Sequence, residues 1–189
     1  MIGLYETVMN RKMNGIILYK SKYGASKKYA EWIAERTGFV CIKTDEADVK
    51  KLAEYDTIIL GGGVYATSIA GLSFLKKNIS KLAGKRIIVF CCGASPYDQK
   101  TFDAGMQQIF KGDLEGIPCY YCRGTFALQE MSFKDRMLCK LLRKAVAKKN
   151  PEDYEPWEKG LMEVRDDEKG DWTDISYIEP IITELNSLK

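Results

Sequence analysis

The sequence predicts an α/β fold: three layers, with a five-stranded parallel sheet in the order 2-1-3-4-5 between two layers of helices, and an insertion between the fifth strand and the last helix. Two observations carry this. From Gly15 onward, short β-rich apolar runs alternate with longer stretches of helical period, the pattern of successive βα units. The runs Thr57-Ile58-Ile59-Leu60 and Ile87-Ile88-Val89-Phe90 are continuously apolar, as in strands buried on both faces. At 189 residues and 46% hydrophobic content the chain has enough apolar material for one core.

The elements follow in order. Gly15 to Lys20 forms strand one and Ser26 to Thr37 the first helix. Phe39 to Lys43, Thr57 to Gly62, Ile87 to Cys92 and Ile117 to Thr125 supply strands two to five. Helical patterns cover Ser68 to Lys81, Thr101 to Phe110 and Ile175 to Leu188. Right-handed crossovers make 2-1-3-4-5 the natural order, with the ligand crevice beyond strands one and three, where the order reverses. Residues 1–12 match no element, whereas Met13-Asn14-Gly15 is an ordinary lead into strand one. The domain is therefore expected to span 13–189, with Met13 as the native start.

Composition narrows the chemistry. There is no histidine, which removes the commonest acid/base group, the commonest metal ligand and every Ser/His or Cys/His nucleophile pair. No side chain stands out as a dedicated general acid or base, so no catalytic residue is named, and difficult chemistry would fall to a cofactor. No apolar run approaches the roughly 18 residues of a membrane span, and Met1 to Lys12 has no signal-like apolar run. A cytoplasmic protein with reduced, packed cysteines is expected.

Strand one runs into Lys20-Ser21-Lys22-Tyr23-Gly24-Ala25-Ser26-Lys27. Hydroxyls and a glycine at a helix N-terminus present free N–H groups and a positive dipole end to a phosphate. Ser26 alone could equally be an ordinary N-cap. No Gly-x-x-x-x-Gly-Lys-Ser/Thr exists, which disfavours a nucleoside triphosphatase. The segment resembles the first loop of the flavodoxin superfamily, Ser/Thr-x-x-Gly-x-Ser/Thr, which wraps the phosphate of FMN; Ser21, Lys22, Tyr23, Gly24, Ala25 and Ser26 stand in that frame. The departure is Ala25, where many flavodoxins carry a polar residue. The resemblance implies a flavodoxin-like sandwich with FMN as cofactor.

Strand three ends in Gly61-Gly62-Gly63-Val64-Tyr65-Ala66-Thr67-Ser68. Glycines let main chain pass close to a flat ring, and Tyr65 is placed to stack on one. The same run satisfies Gly-x-Gly-x-x-Gly/Ala, but it follows the third strand rather than the first, and Gly84-Lys85-Arg86 stands where a dinucleotide site wants an acidic residue. The resemblance implies Gly62, Gly63, Val64, Tyr65 and Ala66 as cofactor contacts. Strand four opens into Cys91-Cys92-Gly93-Ala94-Ser95-Pro96-Tyr97-Asp98, which in flavodoxins flanks the other side of the ring. Gly93 and Ala94 are the expected neighbours, and Tyr97 is either a second stacking residue or simple packing. Cys119-Tyr120-Tyr121-Cys122 has redox or zinc spacing, but inside a strand positions three apart point to opposite faces, so these thiols should not meet.

Met131 to Lys149 carries Phe133, Met137, Leu138, Leu141, Leu142, Ala145 and Val146 at helical spacing. It holds seven Lys or Arg against Asp135 alone, a net of +6 in a chain that totals +3. One reading is a surface helix with its apolar face on the sheet; the other is a docking surface for anionic lipid or an anionic substrate. Asn150 to Lys169, rich in Pro, Asp and Glu, reads as a returning loop.

From Met13 the chain is similar to the bacterial flavodoxin-like protoporphyrinogen oxidase family, which passes electrons through FMN to a membrane quinone. The likeness lies in the Gly-rich loop with its Tyr, in Phe133-Lys134-Asp135-Arg136-Met137 leading into a basic helix, and in Asp171-Trp172-Thr173 before the last helix. Three functions follow as expectations: an FMN electron carrier or reductase working with a redox partner protein, quinone or small-molecule substrate; a protoporphyrinogen oxidase peripheral to the inner membrane face; or a flavodoxin-fold interaction module without cofactor. No nucleic-acid partner is expected.

Overall fold

The computed structural model describes residues 13–65 and 68–187. Five parallel strands form the sheet: β1 (Gly15–Lys20), β2 (Val40–Lys43), β3 (Thr57–Tyr65), β5 (Arg86–Gly93) and β6 (Cys119–Arg123). Their spatial order is β2-β1-β3-β5-β6, the predicted 2-1-3-4-5. The pairing is in register throughout, with Ile17 opposite Cys41 and Ile59, and Ile59 opposite Ile88.

Alternation along the strands divides the core in two. Ile16, Leu18, Ile58, Leu60, Val89 and Cys91 face one layer, where Leu52, Leu72, Leu75 and Leu82 meet them. Those partners come from α2 (Val49–Leu52), α3 (Leu72–Asn78) and the 3-10 turn after it, with α4 (Gln99–Ile109) adding Phe102 and Met106 at the margin. Ile17, Ile59, Ile88, Phe90, Cys92 and Cys122 face the other layer. There α1 (Ala25–Thr37) contributes Tyr29, Ala30 and Ile33, and α7 (Glu179–Asn186) with its preceding turn contributes Ile178, Ile181 and Leu185. Continuous apolar runs were needed in β3 and β5 because both of their faces are covered.

Three two-residue strands were not anticipated. β4 (Ser68–Ile69) folds back antiparallel on the end of β3, and β7 (Thr125–Phe126) pairs with β8 (Gly170–Asp171). The predicted helix over Ser68 to Lys81 accordingly begins only at Leu72. Between β7 and β8 lies the insertion, which builds a third small core from Phe126, Leu128, Val146, Leu161 and Val164. Its first helix is α5 (Phe133–Val146), capped by Ser132, whose hydroxyl accepts from the Asp135 N–H. The stretch read as a loop, Asn150 to Lys169, contains a helix, α6 (Pro156–Met162). Pro156 stands in its first turn, and a reciprocal capping box joins Glu155 and Glu158, two start signals that outweigh the acidic composition.

The reading of α5 as a surface helix with its apolar face on the sheet is corrected. Val146 is buried and Cys139 and Leu142 pack inward onto the insertion's own core, but Phe133, Met137, Leu138 and Leu141 are all exposed. Inward positions are instead taken by arginines. Arg136 donates to the carbonyls of Leu128, Gln129 and Met131, and Arg143 to Val164 O and Asp166.

Candidate functional site

The carboxyl end of β1 turns directly into α1. Gly24 is the N-cap residue at φ 94°, a conformation that side-chain-bearing residues avoid. Its N–H donates to Ser21 Oγ at 3.1 Å, which closes the loop. The N–H groups of the first turn that follows have no intrahelical acceptor, and they open toward a cleft lined by Ser21, Lys22, Tyr23, Ala25 and Ser26. Ser26 is buried and lines the cleft together with Cys92. Gly24 holds the cap position, so Ser26 stands inside the first turn and not at the cap.

Lys22 does not point freely into the cleft. Its ammonium lies 2.5 Å from Asp135 of α5, and the Tyr23 hydroxyl donates to the same carboxylate. Those hydrogen bonds, Lys22 first, hold the Asp135 carboxyl below its ordinary range, and the Asp135 bond raises Lys22. The insertion is thus strapped to the phosphate-type loop.

The second wall is the end of β3. Gly63, Val64 and Tyr65 line the cleft, and the Tyr65 ring lies over Gly63, where a Cβ would stand only 3.1 Å away. Tyr65 stays 44% exposed, so one ring surface is available at the mouth. It also borders a neighbouring hollow of about 440 Å³ shared with Ser21, Lys22 and Asp135. Gly62 does not line the cleft: a Cβ there would sit 2.0 Å from the Ala70 carbonyl oxygen, so its missing side chain admits the β4 turn. Ala66 lies outside the described residues.

Gly93 and Ala94, from the end of β5, form the third wall. Tyr97 is not among the residues that line the cleft; its ring lies beside Phe102 and Tyr121, with centroids 5.6 and 5.7 Å off. A fourth wall was missed by sequence reading: Gly124, Thr125, Phe126 and Met131, joined by Cys92. The rule that ligands lie beyond strand carboxyl ends applies equally to β6, and Gly124 directly follows it. A Cβ at Gly124 would come 3.1 Å from that of Ala25, so the two walls approach closely where Ala25 replaces a polar residue. The cleft holds about 160 Å³, below the roughly 300 Å³ of sites that enclose a whole small-molecule ligand. Backbone donors at one end and glycine and tyrosine surfaces at the mouth suit a phosphorylated ligand whose flat group lies partly outside.

The Cys119 and Cys122 side chains separate to opposite sheet faces as expected, Cys119 toward the layer of α2 to α4 and Cys122 toward that of α1 and α7. Cys92, directly opposite Cys122 in register, has its thiol pushed up to about 12 by burial. It is a neutral lining group there, not a thiolate nucleophile.

A doubly wound parallel sheet with a helix N-terminus and glycine-lined strand ends meeting at its switch point defines an open α/β fold with its crevice at the carboxyl ends of the strands. More specifically, the chain belongs to the flavodoxin domain family, whose model matches residues 16–154. A flavin cofactor is what that membership implies. Similar solved structures include a flavodoxin from the domain Archaea, 18% identical over 69% of this chain and 93% of that one, TM-score 0.38. A WrbA-like flavodoxin from Agrobacterium tumefaciens is 20% identical over 66% and 88%, TM-score 0.43. The two-electron reduced flavodoxin of Megasphaera elsdenii is 17% identical over 57% and 82%, TM-score 0.43. No curated protein matches the sequence.

Proposed function

We propose that this protein binds FMN in the cleft and serves as a flavin-dependent electron carrier or oxidoreductase. The observation that carries the reading is the convergence on one cleft of the α1 N-terminus, the Gly63–Tyr65 strand end and the Gly93–Ala94 turn. The first-turn N–H groups of α1, with Ser21, would hold the phosphate, favoured by the helix dipole. Tyr65 would cover one side of the ring, with Gly63, Val64, Gly93 and Ala94 as its close backbone neighbours. When bound, the flavin accepts and donates electrons; the protein orients it and tunes its potential. Phe126, Met131 and the neutral Cys92 thiol add apolar surface to the same cleft.

A second reading is favoured by the insertion. Its Phe133-to-Met137 run and the Asp171-Trp172-Thr173 segment support a protoporphyrinogen oxidase that hands electrons to a quinone. The exposed apolar and basic side of α5 is compatible with a substrate or acceptor met at a membrane surface, while a soluble redox partner suits the first reading.

The deciding experiment is an absorbance spectrum of the purified protein before and after FMN addition and desalting. Retained flavin bands support the proposal, and porphyrinogen turnover with a quinone acceptor then separates the two redox readings. A protein that retains no flavin refutes both and leaves a flavodoxin-fold interaction module.

A further inference from the structure

At 3.6 residues per turn, Phe133, Met137, Leu138 and Leu141 of α5 fall on one side of the helix, and each is more than half exposed. Phe133 is 76% and Leu141 66% exposed. Large apolar side chains left in water as a contiguous patch mark an interaction surface. The same side carries Lys134, Lys140 and Lys144, with Lys148 just past the helix end, all exposed. Among the described residues none of these four ammonium groups joins an ion pair, whereas Lys22, Lys149 and Arg143 all do. The helix's one carboxylate, Asp135, is turned inward to Lys22 and Tyr23. The exposed side is therefore apolar and wholly cationic.

We infer that α5 is a docking helix that lies flat on an anionic lipid surface, with Phe133, Met137, Leu138 and Leu141 entering the headgroup boundary and the four lysines contacting lipid phosphates. Charge complementarity selects this occupant. Lysines interleaved with the apolar side chains can extend their stems along the helix and lift their ammonium groups to the phosphate level. A second copy of the chain would bring four like charges against four. The inference goes beyond the proposed cofactor and does not depend on it, since none of these side chains lines the cleft.

The test is flotation of the full chain with vesicles of phosphatidylglycerol and phosphatidylcholine, against phosphatidylcholine alone, at low and high salt. Binding to the anionic vesicles only, weakened by salt, is expected. Lys134→Gln with Lys144→Gln should weaken it by about fivefold per lysine, and Phe133→Ser with Leu141→Ser should abolish it. Circular dichroism should stay unchanged in both variants, because every substituted side chain is exposed. The inference is overturned by no binding to anionic vesicles, by equal binding to both vesicle types, or by binding that the folded variants retain. It is also overturned if Phe133→Ser with Leu141→Ser dissolves a dimer of a protein that ignores vesicles, which would make the face a contact between copies.

Discussion

Asp135 accepts from Lys22 and Tyr23 at once, so one carboxylate sets the position of two residues of the phosphate-type loop. Its folded value is depressed, so its contribution is complete above the unfolded carboxylate value of about 3.9 and fades as pH falls through the lower folded value. Lys22 is raised, so its share is complete below about 10.4 and is lost as pH climbs through the folded value. The strap should therefore hold across the neutral range and release only in acid or strong base, and Asp135→Asn should remove the acid limb. Carboxyl titration by NMR checks this: an Asp135 that titrates at the ordinary value would rule the strap out. Two glycines make a second contrast. Gly24→Ala meets no atom within 4 Å but must adopt φ 94°, at a cost of about 1–2 kcal/mol. Gly62→Ala drives a Cβ against the Ala70 backbone and should cost about 3 kcal/mol. Urea midpoints should rank Gly62→Ala as the more damaging.

At the scale of elements, α6 depends on Glu158, which is buried, accepts from the Glu155 N–H at 2.9 Å and pairs with Lys149 at 2.6 Å. Glu158→Ala removes the cap and the link to the end of α5 together, and should lower the Tm by a few degrees, while Glu158→Gln, which keeps the cap, should lose less. Thermal melts of the two variants test this. This helix was present in the sequence as Glu155-Pro156 with Glu158 three places on, but a stretch so rich in Pro and acid masks the signal. The central strands β3 and β5 were legible because both of their faces are buried and impose a continuous apolar run, and the alternation of short β-rich runs with helical stretches marked the other three. β4, β7 and β8 were not, since two residues carry no period. The helical period of α5 was plain, yet its facing was not. Arg136 and Arg143 turn in to backbone carbonyls, and nothing in a one-dimensional pattern says that these arginines face inward while Leu138 and Leu141 face out.

At the scale of the whole molecule, the sheet fixes the site and the insertion gives it surroundings. The order of the strands was legible from crossover handedness, and so were the walls from β1, β3 and β5. The wall from Gly124 to Phe126 was not, because it depends on a pairing between Phe126 and Gly170 across the whole insertion. Tyr29 binds the two parts. Buried in the core, it donates to Arg123 O and accepts from the Asp174 N–H, so α1 reaches both ends of the segment that contains the insertion. Among the described residues no helix is long and apolar enough to cross a membrane. The central sheet carries one more consequence. Cys91 and Cys122 are buried on its opposite faces with thiols pushed well up, so an alkylating reagent reaches them only when the helix layers and the sheet part. Their labelling rate is a built-in clock for that parting. Peptide mass spectrometry should find these two sites modified together and late, after the half-buried Cys41 and Cys139, and at a pace that follows global stability.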